Sequence, residues 1–189
     1  WAFLSVTGGL GYQVGLTPVQ DTLLWVSSAG LTGTADPNYM YVYDLRWAPD
    51  SFPLLDSFQQ PTAQAWGIRD MCYDAVDDRV YGGTDGSTMF SINPNTYASD
   101  TFVVTGTGVP TTIRAMACDG DSLYSANFTS NGVVKFSKTG TNCHTVVPTT
   151  TYSAYGLAWD GSFGVTYVTT ADYTGTLAQY DYPSWDDLG

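Results

Sequence analysis

Short apolar runs follow one another along the chain. Many alternate with polar positions at period two, and turns rich in Gly, Asp, Asn and Pro separate them. This is the signature of strands joined by tight turns. No window shows a sustained 3.6-residue apolar period, so the pattern predicts almost no helix. Four of the runs share a longer motif: an apolar first strand, an Asp- or Gly-containing turn, then a second strand carrying an aromatic residue. The first copy reads Tyr12-Gln13-Val14-Gly15-Leu16, a turn at Asp21, then Trp25-Val26-Ser27-Ser28. The second reads Ile68-Arg69-Asp70-Met71-Cys72-Tyr73-Asp74, a turn at Asp77-Asp78, then Tyr81-Gly82-Gly83-Thr84. The third reads Ile113-Arg114-Ala115-Met116-Ala117-Cys118-Asp119, a turn at Gly120-Asp121, then Tyr124-Ser125-Ala126-Asn127. The fourth reads Tyr155-Gly156-Leu157-Ala158-Trp159-Asp160, a turn at Gly161-Ser162, then Tyr167-Val168-Thr169-Thr170.

The aromatics Trp25, Tyr81, Tyr124 and Tyr167 stand 56, 43 and 43 residues apart. A period of about 40–45 residues built from short strands is the pattern of a β-propeller blade. Third strands are expected at Tyr39–Asp44, Thr88–Ile92, Val133–Ser137 and Leu177–Asp181. Fourth strands are expected at Leu54–Phe58, Thr101–Thr105 and Thr145–Val147. The expected fold is an all-β, four-bladed propeller in one domain of residues 1–189, with blades at about 9–60, 66–109, 110–150 and 151–185. The fourth repeat has no fourth strand of its own. Residues 1–8, which contain Ala2-Phe3-Leu4-Ser5-Val6, are expected to supply it and lock the ring. The alternative is that the chain is a fragment of a larger propeller. The first repeat is longer because of Gly30–Asn38, read as a long loop between its second and third strands.

At Trp66-Gly67-Ile68-Arg69-Asp70-Met71-Cys72-Tyr73-Asp74 the chain resembles secreted bacterial cell-surface propeller repeats of the W-G-x-R-D type, which are usually exported with a C-terminal sorting domain. The similarity runs over about residues 60–181 and is poor in the first repeat. It implies an extracellular or cell-surface propeller and supplies no catalytic residue.

Composition sharpens the picture at three points. All 18 acidic residues are Asp, a turn former, and Glu, a helix former, is absent. Net charge is −12 with six cations, which argues against a nucleic-acid partner and against an anionic membrane surface. No apolar run approaches a membrane span, so no insertion is expected. The chain begins at Trp1 without an initiator Met, which fits processing and secretion.

Candidate chemistry is sparse. Arg69 and Arg114 hold equivalent positions in successive repeats, and Tyr12 and Tyr155 hold the same column in the others. Guanidinium forks bind carboxylate or phosphate, so this column is the candidate site for a glycan or small anion. The competing reading pairs each Arg with Asp70, Asp74 or a backbone carbonyl to seal neighbouring blades. Asp74, Asp77, Asp78, Asp119 and Asp121 cluster in turns. Calcium is the one cofactor they offer, against the plainer reading of Asp bonding its own turn. Asn127 opens the only glycosylation sequon. His144 is the sole histidine; it follows Cys143 on a strand, and strand neighbours point to opposite faces. Cys72 and Cys118 lie on first strands of adjacent repeats, one register step out of phase. They are read as buried free thiols, an interblade bridge remaining conceivable. The expected function is a non-enzymatic, extracellular structural or interaction module. It would bind a protein partner or itself, as a homo-oligomer at a surface or in a filament. The alternatives are a glycan- or small-anion-binding propeller, and a hydrolase or lyase.

Overall fold

A computed structural model describes residues 12–29, 38–48, 51–127, 132–147, 154–161, 164–169, 176–179 and 184. Among the described residues, fifteen antiparallel strands form four sheets, each a simple meander. The first contains β1 (Tyr12–Val19), β2 (Leu23–Ala29), β3 (Tyr39–Asp44) and β4 (Leu54–Gln59). The second contains β5 (Asp70–Asp74), β6 (Arg79–Gly83), β7 (Thr88–Ile92) and β8 (Ser99–Val103). The third contains β9 (Ile113–Cys118), β10 (Ser122–Asn127), β11 (Val133–Ser137) and β12 (His144–Val147). The fourth contains β13 (Ala154–Asp160), β14 (Gly164–Thr169) and β15 (Thr176–Gln179). Among the described residues the one helical element is a single 3-10 turn, Leu45–Trp47, capped by Asp44. The segments expected at residues 1–8, in the loop at 30–37 and at 182–183 lie outside the described residues.

The hairpins form where local chemistry asks for them. Gln20 and Asp21, between β1 and β2, both take positive φ (50° and 56°), as in a type I′ turn whose twist suits the flanking strands. Asp119 Oδ1 accepts the N–H groups of Asp121 and Ser122 at 2.9 and 2.6 Å, which folds the chain from β9 into β10.

The first strands β1, β5, β9 and β13 pack in succession, so the sheets stand side by side around them. Close approach sets part of this spacing. A Cβ on Gly15 would sit 2.8 Å from the Arg69 carbonyl oxygen and the Asp70 Cα. A Cβ on Gly83 would run into the Ile113 side chain. Three apolar clusters fill the gaps between sheets. Trp25, Met40, Val42, Ile68, Phe90 and Ile92 join the first sheet to the second. Tyr81, Met89, Ile113, Met116 and Phe136 join the second to the third. Tyr124, Ala115, Ala117 and Val133 meet Leu157 and Trp159 of the fourth.

Each recurring aromatic thus fills the gap between its own sheet and the next; the side chain of Tyr167 is not among those described. Burial falls outward. Strand β2 is almost wholly buried, while β4 and β8 are mostly exposed.

Candidate functional site

Among the described residues, two cavities lie along the first strands. One, of about 360 Å³, is lined by Gln13 and Val14 of β1, Trp66 and Arg69 ahead of β5, and Arg114 of β9. The structure therefore brings Arg69 and Arg114 together, as their equivalent positions in the repeats predict. Tyr12 and Tyr155 lie in β1 and β13 at the same end, but their side chains are outside the described residues.

The Arg69 guanidinium is already occupied. Its Nη2 donates to Asp85 Oδ2 at 2.9 Å, and its Nε lies 2.9 Å from Asp85 Oδ1, off the line of a straight hydrogen bond. Its Cζ sits 5.0 Å from the centre of the Trp66 ring, a cation–π contact. The structural reading of the sequence pairs it with Asp70, Asp74 or a backbone carbonyl. The fork closes instead on Asp85, because Asp85 begins the turn after β6 at the end of the sheet where Arg69 enters, and Asp70 and Asp74 face the third sheet.

Asp70 Oδ2 accepts the Met116 N–H at 2.7 Å. Burial pushes its carboxyl up to about 8, although the Met116 and Met71 N–H groups pull the other way. Asp74 is buried, with Oδ1 on the Val76 N–H at 2.8 Å and Oδ2 2.6 Å from Lys138 Nζ.

The second cavity, about 410 Å³, is bounded by β1, β2, β5 and β13, with Leu16, Leu24, Val26 and Leu157 in its walls. Residues of the first, second and fourth sheets line it.

The five carboxylates read as calcium candidates do not converge. Asp77 Oδ2 accepts from Tyr81 Oη at 2.6 Å and sits 3.5 Å from Lys138. Asp78 accepts from Gln20, Tyr73 and Asn95 at 2.8–3.0 Å. Asp119 Oδ2 accepts from Tyr124 Oη at 2.7 Å, and Asp121 is exposed in the same turn. Among the described residues, no group of three or more His, Cys or acidic side chains is placed to hold a metal. His144 is exposed, with Nδ1 2.9 Å from the Asn142 carbonyl oxygen, and Cys143 is buried. Asn127 closes β10, its side chain outside the described residues.

Sequence reasoning missed Gln13 and Trp66 in the lining of the Arg cavity, and Asp85 as the partner of Arg69. Trp66 and Arg69 belong to the same short motif, which was the available signal. Asp85 read only as a turn former.

No protein-family model matches the chain, and no curated protein matches it. Among solved structures it is similar to a chain of a nidogen/laminin complex, with a TM-score of 0.64 at 14% identity over 90% of this chain and 61% of that one. It is similar also to U3-55K, with a TM-score of 0.66 at 13% identity over 96% of this chain and 52% of that one. The chain therefore spans less than two thirds of the length of each. The likeness shows the fold: an all-β chain of the propeller type. Among the described residues, no helix is long and apolar enough to cross a membrane.

Proposed function

We propose that this chain is an extracellular, non-enzymatic propeller acting as an interaction module that associates with further copies of itself. An apolar corner on the edge of the first sheet carries this reading. Trp47, Leu54 and Leu55 are 63%, 51% and 51% exposed. The segments that carry them are tied by backbone bonds: Asp44 N–H donates to the Pro53 carbonyl, and Ser51 N–H to the Trp47 carbonyl. Trp47 closes the 3-10 turn after β3, and Leu54 and Leu55 open β4, the last strand of its sheet. An outermost strand with large apolar side chains at such exposure is a surface suited to burial against another molecule. The resemblance to secreted cell-surface repeats supports the extracellular part.

With a net charge of −12, copies repel one another at low ionic strength and approach as salt screens them. Sedimentation equilibrium is expected to show association that strengthens from about 0.05 to 0.5 M salt. Leu55→Asp is expected to abolish it with an unchanged melting curve. A wild-type chain that stays monomeric throughout overturns the reading.

We propose further that the four sheets are the blades of one ring closed by residues 1–8. The first sheet buries both faces: Trp25, Met40 and Val42 toward the second sheet, and Leu24, Val26, Tyr41 and Tyr43 on the other side. That is the burial of a blade with two neighbours. Deleting residues 1–8 is expected to lower the melting temperature sharply. An arc of a larger ring would leave them dispensable.

A second reading, a site for a glycan acid or small anion, is favoured by the meeting of two guanidiniums in one cavity. The Asp85 carboxylate already on Arg69 makes it the weaker of the two. Binding of a sugar acid or of inorganic phosphate that Arg114→Gln abolishes would raise it above the first.

A further inference from the structure

The gap between the second and third sheets holds two thiols that the site above does not use. Strands β5 and β9 lie side by side. Asp70 Oδ2 receives the Met116 N–H at 2.7 Å, and two residues further along each strand stand Cys72 and Cys118. The Cys118 thiol donates to the Tyr73 carbonyl oxygen at 3.2 Å, which brings it against the backbone next to Cys72. Cys72 is buried, Cys118 is partly exposed, and both belong to the apolar cluster between the sheets. Cys143 touches that cluster from the outer side, where its backbone bridges to Gly106. The one-step offset in the repeat alignment is what aims the two thiols at each other. A residue facing the following sheet from β5 meets a residue facing the preceding sheet from β9, and those two positions have opposite parity along the strand.

We propose that Cys72 and Cys118 are a dithiol site that a low-molecular-weight disulfide converts to a covalent cross-link between the second and third sheets. The Cys118 thiolate, the accessible one, attacks one sulfur of R–S–S–R. The reagent's S–S bond breaks, and RS⁻ leaves and takes up a proton. Cys72 then loses its proton and attacks the Cys118 sulfur, expelling the second RS⁻. Two protein thiols are oxidised and one disulfide is reduced to two RSH. Burial holds the Cys72 thiol well above its ordinary value, which suits it to the second attack and not the first. The inference does not depend on the interaction reading above.

The test incubates the folded, full chain with oxidised glutathione, quenches in acid, alkylates remaining thiols and maps peptides by mass spectrometry. The expected result is a single Cys72–Cys118 linkage, a mass loss of two hydrogens, and Cys143 alkylated. Melting is expected to rise by about 5–10 °C and to return on reduction. Cys143→Ser should leave linkage and shift intact, and Cys118→Ser should remove both. Three alkylated cysteines after oxidation, a linkage to Cys143, or a glutathione adduct on Cys118 that Cys72 never displaces would each overturn the proposal.

Discussion

The junction between the first and second sheets and the junction between the second and third share one geometry and differ in chemistry. The first is aromatic. Trp25 meets Phe58 and Tyr97 edge-on, with ring centres 5.2 and 5.8 Å away, and Phe58 stacks on Tyr97 at 4.2 Å. Its polar bonds, such as Gln20 to Asp78 at 3.0 Å, lie at the edge. The second junction carries charge into the interior. Asp70 takes the Met116 N–H, Lys138 reaches the buried Asp74, and the Cys72–Cys118 pair lies between them. An apolar seal is stable across a wide pH range, whereas buried ionisable groups tie stability to proton binding. The structure therefore concentrates its sensitivity to conditions in one junction.

The largest expected effect comes from emptying the aromatic seal. Trp25→Ala should cost about 4 kcal/mol in urea unfolding, with little dependence on pH. A loss below about 1 kcal/mol would mean that the neighbouring rings do not depend on the indole.

The charged junction responds next. Lys138→Met leaves Asp74 buried without its cation, and should cost about 2 kcal/mol. Adding Asp74→Asn should recover part of that loss. If the double variant is less stable than Lys138→Met alone, the Lys138–Asp74 pair is not the reason.

A smaller effect distinguishes the junctions by pH. Asp70 has its folded-state value raised to about 8, above the ordinary carboxylate range it has when unfolded. Its contribution to stability is full below about pH 4 and is lost as pH climbs toward 8. Asp70→Asn keeps an acceptor for Met116 and removes this slope. The stability of wild type relative to the variant should fall by at least about 1 kcal/mol between pH 5 and pH 9. Parallel unfolding midpoints at the two pH values would exclude it. Asp44 is the opposite case: hydrogen bonds from the Arg46 side chain and backbone N–H hold its carboxyl down at about 2. Its contribution is present above the ordinary carboxylate range and is lost as pH falls toward 2, so Asp44→Asn should lower stability above about pH 4 and converge with wild type as the pH falls toward 2.

The smallest effect lies outside both junctions. Arg69→Lys gives up the fork on Asp85 and the stacking on Trp66, but Asp85 is 44% exposed, so water shares the pairing. A loss of about 0.5 kcal/mol is expected from thermal melts. A loss of 2 kcal/mol or more would place the pair among the main supports of the fold.

The strands were legible in the sequence because their signals are local. Tyr39–Asp44, Thr88–Ile92 and Val133–Ser137 fall where alternation and turn residues predict them. The second sheet's first strand begins at Asp70 and not Ile68, since Gly67 takes a φ of 60° and turns the chain just before it. The period of the aromatics was legible too, because every gap between successive sheets asks for a bulky residue at one repeating position. The pairing across those gaps was not. Arg69 joins Asp85 and not Asp70, Cys118 comes to rest against the Tyr73 backbone next to Cys72, and Lys138 reaches back to Asp74. Periodicity is written in adjacent residues and survives in any window of the chain. Contacts between repeats join residues tens of positions apart, and they are decided only when the sheets pack and twist against one another.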